Sequence, residues 1–463
     1  MNTKALRQKI LDLAIHGKLV PQDPNDEPAS VLLERIRDEK ERLIKEGKIK
    51  RSKKTKATSD KPHYENVPFE VPSSWVWTTI GDIAESNIGL TYKPSDICDD
   101  GVPVYRSNNI QNRRIDKTEL VRVNAKILDK QYLSVGDLLI CARNGSRRLV
   151  GKCALIENLS EPSAFGAFMA VCRSAYNPWI YLLLNTGYFN RYLDDSNSTA
   201  INQVTQSMLL AFRVPFPPKK EQDRIIDEIS KWFDLIETIE KRKEELQVII
   251  STTKSKILDL AIHGKLVPQD PMDEPASELL KRINPKAEIT CDNGHYQKLP
   301  EGWAILKVGN VAEYINGRAF KPEEWEQTGL PIIRIQNLND PNAYYNRTKN
   351  EYEEKYLIKK GDLLFAWAAS LGTYIWKGED AWLNQHIFKV VPYPFMDKKY
   401  LYYTFHAMIT EFYRKSHGSG MIHITRKQFE EITLWLPPLS EQYRIVQYLQ
   451  QVFEKLDSIV ENL

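Results

Sequence analysis

One sixteen-residue segment occurs twice in this chain without a single change. Residues 9–24 and residues 256–271 both read KILDLAIHGKLVPQDP, and the match continues at a constant offset to Arg35-Ile36 and Arg282-Ile283. Unrelated segments do not share sixteen consecutive residues, so the chain is an internal duplication. A solenoid or a propeller would show a short unit many times, whereas a long unit that occurs twice predicts two halves built on one plan.

The second copy can be followed through most of the remaining sequence. Trp75 aligns with Trp303, GDLL at 136–139 returns at 361–364, and PPKKEQDRII at 217–226 returns as PPLSEQYRIV at 437–446. The helical segments keep their residues or their pattern, and the globular segments keep only scattered turn and core positions. The predicted order is a helical segment 1–46, a basic linker 47–64, a globular domain 65–216, a central helix with its extension 217–283, a linker 284–296, a globular domain 297–436 and a C-terminal helix 437–463.

A long helix is predicted between the two globular domains. From Lys219 to His263 the sequence contains no Gly and no Pro, and its apolar residues alternate at spacings of four and three, which is typical of a coiled-coil seam. Gly264 follows directly and predicts a left-handed C-terminal cap. The predicted seam consists of Ile225, Ile229, Trp232, Ile236, Ile239, Lys243, Leu246, Ile250, Thr253, Ile257 and Leu260.

The two ends of the chain offer a partner for this helix. Residues 445–463 and 6–13 repeat the same spacing, and by the offsets of the duplication they correspond to the first and last parts of the central helix. The ends are therefore predicted to meet and to form a second copy of the helix, cut once, that lies antiparallel to the intact copy. The same heptads leave open a homodimeric coiled coil, in which a second chain supplies the partner.

Each globular domain mixes strand and helix patterns. Short apolar runs bounded by Gly, Asp and Pro, such as GDLLICAR at 136–143 and GDLLFAWA at 361–368, predict strands. WIYLLLNTGYFNRYL at 179–193 and KYLYYTFHAMITEFYRK at 399–415 predict amphipathic helices. The predicted fold class is α+β, with two pseudo-twofold-related globular domains separated by two long antiparallel coiled-coil helices.

Composition narrows the class of protein. Hydrophobic residues make up 42% and charged residues 27% of the 463 residues, as in ordinary globular proteins. No apolar run approaches the roughly 18 residues of a membrane span, and the polar N-terminus does not resemble a signal peptide. The five cysteines form no CxxC pair, which favours reduced thiols. We therefore expect a cytoplasmic protein without a membrane partner, while the net charge of +3 does not by itself indicate nucleic acid.

The sequence lacks the usual signatures of catalysis. It contains no GxxxxGK[ST], no GxGxxG after a strand and no His spaced for a metal site. Asn177-Pro178-Trp179 resembles the Asn-Pro-Pro-aromatic loop of amino-methyltransferases, but the second Pro and a glycine-rich cofactor loop are missing. We therefore expect no catalytic residue, no metal and no cofactor in this chain.

Polar side chains that can read base edges occur at matching places in the two globular domains. Arg pairs with guanine, and Asn or Gln pairs with adenine, in the major groove, although each such residue could instead cap a strand or lie in solvent. Asn316, Gly317 and Arg318 are expected where the first domain has Asn87, Ile88 and Gly89. The candidate DNA-binding residues are Tyr92, Lys93, Arg106, Asn108, Asn109, Gln111, Arg143, Asn144, Ser146, Arg147, Arg148, Asn316, Arg318, Lys321, Arg334, Gln336, Asn337, Ser419 and His423.

Together these features resemble the specificity subunits of type I restriction-modification systems. The resemblance covers essentially the whole chain. It depends on the repeated KILDLAIHGKLVPQDPxDEPASxLL, on Trp-x(5)-Gly at Trp75/Gly81 and Trp303/Gly309, and on GLPIIRIQNL, GDLL and PPLxEQ. It implies two target-recognition domains, each of which binds one half of a split sequence in double-stranded DNA, held apart by antiparallel helices.

The resemblance also implies partner subunits. In this family the helices set the gap between the half-sites and dock two modification subunits, and two restriction subunits complete an assembly that methylates adenine N6 or cleaves remote DNA. S-adenosylmethionine, ATP and Mg²⁺ belong to those partners. The repeated LVPQDP segment suits a surface gripped by two identical partners, and the candidate docking residues are His16, Lys18, Val20, Pro21, His263, Lys265, Val267 and Pro268.

Overall fold

The structure is a computed structural model that describes residues 2–47, 67–196, 202–283, 299–340, 342–416 and 423–462. The chain divides into two compact units, Met1–Lys241 and Arg242–Leu463. The division falls inside the long central helix, so each unit contains one globular part and one part of that helix. The predicted linker 284–296, and all of the linker 47–64 except residue 47, lie outside the described residues.

In the first unit, helices α1 (Thr3–Ile15) and α2 (Ala29–Lys45) precede the globular part. That part begins with β1 (Val76–Thr79) and ends with β11 (Arg213–Phe216), which pair in antiparallel fashion and bring its two ends together. The long helix α7 (Lys219–Ile262) follows. The elements between β1 and β11 are α3 (Ile80–Ile83), β2 (Glu85–Ile88), β3 (Ile97–Tyr105), β4 (Ile110–Gln111), β5 (Arg114–Ile115), β6 (Val121–Val123), β7 (Leu138–Cys141), β8 (Cys153–Leu155), β9 (Ala164–Phe165), β10 (Met169–Arg173), α4 (Asn177–Leu184), α5 (Gly187–Ser196) and α6 (Gln206–Ala211).

Two sheets form the body of the first globular part. One has the strand order β2-β10-β7-β8 and is antiparallel throughout. The other has the order β6-β3-β9, in which β3 and β9 are parallel. Strands β4 and β5 form a hairpin whose turn residues Asn112 and Arg113 both have positive φ, as a type I′ turn requires.

The second unit repeats this plan. Its globular part is closed by pairing of the first and last strands, and its sheets have the orders β13-β20-β17-β18 and β15-β14-β19-β16. A short helix, α9, follows β14 where the 3₁₀ turn Ser107–Asn109 follows β3. The elements are α8 (Ala276–Ile283), β12 (Ala304–Lys307), β13 (Ala312–Asn316), β14 (Leu330–Ile333), α9 (Ile335–Asn339), β15 (Asn346–Thr348), β16 (Leu357–Ile358), β17 (Leu363–Ala366), β18 (Gly372–Ile375), β19 (Ala381–Leu383), β20 (Ile387–Pro392), α10 (Lys398–Ala407), α11 (Ile409–Lys415), α12 (Arg426–Glu430), β21 (Thr433–Leu436) and α13 (Leu439–Glu461).

The GDLL runs form the buried strands β7 and β17, as the sequence predicts. The two predicted amphipathic helices are each broken in two, at Asn185–Thr186 and at Met408. In the first break, Asn185 Nδ2 donates to the carbonyl of Tyr181 and Thr186 Oγ1 donates to the carbonyl of Leu183. These side chains occupy carbonyls at the end of α4, and the chain turns before α5 begins.

The first part of α7 packs against α1. Ile225, Ile229 and Ile236 are buried in the core of the first unit, as predicted. Arg7 forms an ion pair with Glu240 at 2.6 Å, while the segment after α1 reaches the beginning of α7. Early residues of α1 therefore lie beside late residues of this part of α7, so the two helices are antiparallel.

The last part of α7 packs against α13 in the second unit. Lys254 forms an ion pair with Asp457 and its Nζ lies 5.3 Å from the centroid of the Phe453 ring. Further along, Asp273 pairs with Arg444 at 2.6 Å. Rising residue numbers on one side meet falling numbers on the other, so α13 is antiparallel to this part of α7.

Two predicted seam residues do not face a helix core. Trp232 is 41% exposed and Leu260 is 39% exposed, whereas the next residues in sequence, Phe233 and Ala261, pack against the cores. An α-helix has 3.6 residues per turn, so its buried stripe drifts away from a strict seven-residue repeat unless the helices supercoil. The strict heptad assignment is therefore wrong at these two positions.

Helices α1 and α7 end in the same way. Gly17 has a φ of +64° and Gly264 a φ of +65°, and in both copies the next lysine N–H donates to the carbonyl five residues before it, which is a Schellman motif. A Cβ at Gly17 would lie 2.4 Å from Pro72 Cγ, and one at Gly264 would lie 2.5 Å from Pro300 Cγ. The identity of the two segments therefore has a structural reason within each unit.

A buried hydrogen bond fastens each globular part to the helix that follows it. Trp75 Nε1 donates to Glu221 Oε2 at 3.0 Å, and Trp303 Nε1 donates to Glu441 Oε2 at 2.9 Å. Glu221 and Glu441 are each 1% exposed. We call these pairs the Trp–Glu clamps of the two units.

None of the helices in the described residues is long and apolar enough to cross a membrane. Cys98, Cys141, Cys153 and Cys172 carry free thiols, and burial raises the pKa of Cys153 to about 12, which keeps that thiol protonated and unreactive. Cys291 lies outside the described residues.

Candidate nucleic-acid interface

In each unit, the loops that follow four strands meet one another and a fifth loop. We call this set the loop cluster. In the first unit it consists of Gly89–Leu90, Arg106–Ser107, Ala142–Asn144, Gly166–Phe168 and Asn202–Gln203. In the second unit it consists of Gly317–Arg318, Arg334–Ile335, Trp367–Ala369, Asn384–His386 and His423.

Equivalent backbone hydrogen bonds hold the two loop clusters. In the first unit the loop after β2 bonds to the end of β9. In the second unit the loop after β13 bonds to the end of β19. Leu90 N–H donates to Phe165 O (2.6 Å), as Arg318 N–H donates to Leu383 O (2.8 Å). Gly166 N–H donates to Tyr105 O (3.0 Å), as Asn384 N–H donates to Ile333 O (3.1 Å). Ala142 N–H donates to Phe168 O (2.9 Å), as Trp367 N–H donates to His386 O (3.2 Å). The backbone frame is therefore common to both units.

This frame corrects one alignment made from the sequence. Leu90 bridges to Gly166 and Arg318 bridges to Asn384, so Gly317 corresponds to Gly89 and not to Ile88. A Cβ at Gly89 would lie 2.2 Å from a backbone oxygen, and a Cβ at Gly317 would lie 2.1 Å from one. Both positions need glycine because the facing backbone is too close for a side chain.

Two of the candidate base readers have another role. Asn109 and Asn337 are 1% and 2% exposed, and each accepts a hydrogen bond from the backbone N–H of the arginine three residues earlier. The amide of Asn109 donates to the carbonyls of Asp116 and Glu119, and that of Asn337 donates to the carbonyl of Tyr344. These side chains hold the loop and cannot face DNA, so we remove both from the candidate set.

The first loop cluster presents cations beside an exposed aromatic ring. The guanidinium of Arg143 lies 5.6 Å from the centroid of the Phe168 ring, which is 62% exposed. Asn144 Nδ2 donates to Ser107 Oγ at 3.2 Å. Nε of Arg106 is buried without a hydrogen-bond partner among the described residues.

The remaining first-unit candidates surround this cluster. Tyr92 is partly buried against a small apolar core. Arg147 forms an ion pair with Asp194 at 2.6 Å, which ties its guanidinium to helix α5. The exposed candidates are Lys93, Asn108, Gln111, Ser146 and Arg148.

In the second unit, Arg318 is held from several sides. Its Nη2 forms an ion pair with Glu324 Oε1 at 2.7 Å, and its guanidinium lies 4.2 Å from the Tyr352 ring centroid and 5.0 Å from that of Phe320. The hydrogen bond from Arg318 lowers the pKa of Glu324 to about 2. Nη1 of Arg318 is buried and has no hydrogen-bond partner among the described residues. The cation is therefore fixed in one orientation.

A second polar group lies beside it. Trp367 Nε1 donates to Asn316 Oδ1 at 3.1 Å, and the Trp367 and His386 rings are 5.2 Å apart between centroids. Gln385 Nε2 lies 3.2 Å from His386 Nε2. Burial, and then the charge of Arg334, lower the pKa of His386, so its imidazole is neutral at pH 7.

The other second-unit candidates lie near these residues. The Arg334 guanidinium lies 5.8 Å from the ring centroid of Trp325, which is 40% exposed. His423 bridges to Ala368 through its backbone. Asn316, Lys321, Gln336 and His423 are exposed. Ser419 lies outside the described residues.

Four residues of the loop clusters are not among the candidates predicted from the sequence: Phe168, Trp367, Gln385 and His386. Trp367 could have been found, because the GDLL alignment matches it with Ala142 at the end of the preceding strand. Gln385 and His386 gave no such signal, since the loop lengths of the two domains diverge after GDLL. Their positions follow only from the pairing of β19 and β20 with their neighbours.

The candidate docking residues divide into two kinds. Val20 and Val267 are partly buried against the cores of their own units, and the ring centroids of His16 and Phe69 are 4.1 Å apart. His263 lies 5.1 Å from the ring of Trp435. Lys18, Pro21, Lys265 and Pro268 are exposed. The histidines and valines therefore serve packing within each unit, and the lysines and prolines are the accessible docking candidates.

Among the described residues, no group of three or more His, Cys, Asp or Glu side chains is arranged to hold a metal ion. The loop clusters instead collect guanidinium, amide, imidazole and aromatic groups. Such groups bind base edges and phosphates through hydrogen bonds, charge and stacking.

Comparison with known proteins agrees with this chemistry. A family model described as the type I restriction modification DNA specificity domain matches residues 72–248 and 300–463. The chain is 29% identical to the type I restriction enzyme EcoAI specificity subunit of Escherichia coli, over 98% of this chain and 90% of that protein. It is 26% identical to the EcoEI specificity subunit of the same species, over 99% and 90% respectively.

Two solved structures share the fold. A chain from a study of complex assembly and conformational transition in a type I R-M system aligns with a TM-score of 0.57 and 18% identity, over 85% of this chain and 94% of that one. The HsdS subunit from Thermoanaerobacter tengcongensis aligns with a TM-score of 0.50 and 18% identity, over 85% and 93%.

Proposed function

The chain belongs to the family of type I restriction-modification DNA specificity subunits, and from that premise we propose that each of its units reads one half of a bipartite, asymmetric DNA target. Specificity subunits recognise DNA and are not enzymes, and this chain is a non-catalytic subunit of that kind. The methylation and cleavage reactions lie with other subunits of the system.

One observation carries the proposal: the two units have one backbone frame and two different sets of side chains on it. Leu90, Arg143 and Phe168 occupy the positions of Arg318, Ala368 and His386. Hydrogen bonds and apolar contacts to base edges specify sequence, whereas phosphate contacts position a protein. Two unlike surfaces on one frame therefore support recognition of two unlike half-sites.

We propose that α7 fixes the gap between the half-sites, together with α1 and α13 as its antiparallel partners. Two observations support this arrangement. The Arg7–Glu240 contact joins α1 to the first part of α7, and the Lys254–Asp457 contact joins α13 to the last part. A continuous helix of 44 residues spans about 66 Å at ~1.5 Å per residue, which is long enough for a spacer.

We further propose that the repeated segment docks two modification subunits, and that restriction subunits join through the complex. Lys18, Pro21, Lys265 and Pro268 are exposed at equivalent positions of the two copies, which suits two copies of one partner. S-adenosylmethionine, ATP and Mg²⁺ are expected on the partner subunits, and a cytoplasmic location remains a prediction.

The test is to sequence the methylated sites in a host that carries this chain and its modification subunits. A bipartite motif with two different halves is the expected result. Seven residues inserted between Glu244 and Glu245 of α7 should lengthen the permitted gap and leave both half-sites unchanged, because DNA advances about 3.4 Å per base pair. A single continuous or palindromic motif in the wild type would contradict the two-reader proposal, and an unchanged gap would contradict the spacer role of α7.

A further inference from the structure

Each loop cluster is built around one short turn that is anchored at both ends. The β9–β10 turn (residues 166–168) and the β19–β20 turn (residues 384–386) close through Met169 N–H to Gly166 O at 2.8 Å and Ile387 N–H to Asn384 O at 3.2 Å. Gly89 N–H donates to Met169 O, and Gly317 N–H donates to Ile387 O. These bonds, with those to the neighbouring strands, fix the backbone of each turn from both sides.

The two turns present different chemistry on this fixed backbone. The first carries Ala167 and Phe168, and the Phe168 ring is 62% exposed. The second carries Gln385 and His386, both partly exposed. A rigid support for two exchangeable side chains is what a sequence-reading element needs, since side chains on a mobile loop would lose discrimination to their own conformational freedom.

The amide of Gln385 has a defined orientation. Its Nε2 can only donate, and at 3.2 Å it donates to Nε2 of His386 in the imidazole tautomer that carries its proton on Nδ1. This bond uses one amide N–H and leaves the second N–H and Oε1 free to form a bidentate pair. A glutamine amide of this kind matches the N7 acceptor and N6 donor that adenine presents in the major groove.

We propose that these turns are the specificity-determining elements of the two units, with Gln385 reading an adenine in one half-site and Phe168 contacting a thymine methyl group in the other. His386 is a positioning residue, because it orients the Gln385 amide and need not contact DNA. The inference rests on the proposed function and deepens it by naming the residues and the bases.

The experiment uses the complex of the full chain with its modification subunits. The DNA duplex carries the target sequence that is identified by sequencing the methylated sites. Affinity is measured for the native duplex and for duplexes changed at each half-site position. Gln385→Ala should weaken binding of the native duplex about 5- to 150-fold and remove the preference at one adenine, with preferences elsewhere unchanged. Gln385→Glu should move the preference at that position towards cytosine, whose N4 donates to a carboxylate. Gln451→Ala, an exposed glutamine of α13 in the same unit, is the matched control.

Phe168 is tested with uracil. Replacing each thymine of the half-site by uracil removes only the methyl group, and one such replacement should weaken binding of the wild-type complex several-fold. The Phe168→Ser complex should not distinguish thymine from uracil at that position.

The outcomes separate the inference from the proposed function. A uniform loss of affinity for every duplex, or no change, in both Gln385 variants would overturn the role of the β19–β20 turn. Equal sensitivity to uracil in wild type and Phe168→Ser would overturn the role of the β9–β10 turn. In either case a wild-type complex that still prefers a bipartite motif leaves the proposed function standing, whereas a wild-type complex with no preference refutes the proposed function.

Discussion

The two Trp–Glu clamps have the same geometry but a different supply of hydrogen-bond donors. In the first unit Gln22 Nε2 donates to Glu221 Oε1 at 2.5 Å, and Ser74 Oγ donates to Gln22 Oε1 at 3.1 Å. In the second unit Glu441 Oε1 is buried with no partner among the described residues. Gln22 and the equivalent Gln269 donate alike to the carbonyls of Gly17 and Gly264 at 3.3 Å, but the amide of Gln22 also reaches its carboxylate. Gly302 replaces Ser74 in sequence, so no hydroxyl orients Gln269 towards the carboxylate.

This difference makes the stability of the second unit sensitive to pH. Burial raises the pKa of Glu441 from 4.5 to about 7, because the single bond from Trp303 and the nearby charge of Arg444 do not offset the loss of hydration. The folded state therefore keeps a proton that the unfolded state releases above pH 4.5. The resulting destabilisation is absent below about pH 4.5, grows between pH 4.5 and 7, and reaches about 3 kcal/mol at most above pH 7.

Glu441→Gln removes the ionisation and keeps an acceptor for Trp303. The part of its effect on the free energy of unfolding that does not depend on pH cancels when two pH values are compared. We expect the stability of the variant relative to wild type to rise by about 2–3 kcal/mol between pH 5 and pH 8.5. Thermal melting of the full chain at both pH values measures this. The melting temperature of a unit of this size changes by about 2–4 °C per kcal/mol.

Glu221→Gln is the matched comparison in the first unit. Burial also raises the pKa of Glu221, but bonds from Trp75 and Gln22 act against that rise. The pH-dependent penalty at Glu221 is therefore smaller, so Glu221→Gln should gain less stability than Glu441→Gln between pH 5 and pH 8.5. If the Glu441→Gln advantage does not grow between pH 5 and pH 8.5, the carboxyl group is ionised without penalty and the reasoning is wrong.

Three further perturbations test other contacts of the two units. Gly317→Ala should displace the β19–β20 turn, since its Cβ would lie 2.1 Å from Asn384 O, and should cost about 1–3 kcal/mol in chemical denaturation, with Gly145→Ala, which has open space and no positive φ, as the control. Arg444→Ala should cost about 3 kcal/mol, because it leaves Asp273 without its ion-pair partner at 2.6 Å; a loss below about 1 kcal/mol in urea titration would mean that Asp273 is well solvated. The affinity of the assembled complex for duplex DNA should fall steeply and linearly on a log–log plot against salt concentration, and a flat plot would exclude phosphate contacts.

The duplication, the helices and their caps were predictable from sequence because their causes are local or repeated. A stretch without Gly or Pro predicted α7 to within one residue of its observed end, and Gly17 and Gly264 take the left-handed conformation that their position after the last helical turn requires. The apolar spacing identified Ile225, Ile229 and Ile236 as buried. It was wrong for Trp232, because the exact side of a helix that faces a core depends on its packing.

The loop clusters could be predicted only in part. Arg106, Arg143, Arg318 and Arg334 were identified as polar residues at the ends of strands, and the structure brings each into its cluster. Asn109 is of a residue type that can read bases and it follows a strand, yet its amide N–H groups donate to carbonyls seven and ten residues away. Residue type alone does not distinguish a residue that contacts bases from one whose side chain holds a loop, because both are polar and both follow a strand.

The sequence by itself determined that this protein has two halves of one plan, joined by a long helix and fastened by identical segments. Helical period, glycine caps and exact repetition are properties of the chain that need no knowledge of distant contacts. The tertiary structure alone decided which side chains occupy corresponding places. Gln385 lies on the β19–β20 turn and Phe168 on the equivalent β9–β10 turn because β19 and β9 each pair with a strand far away in sequence. Hydrogen bonds across that distance leave no trace in the local sequence pattern.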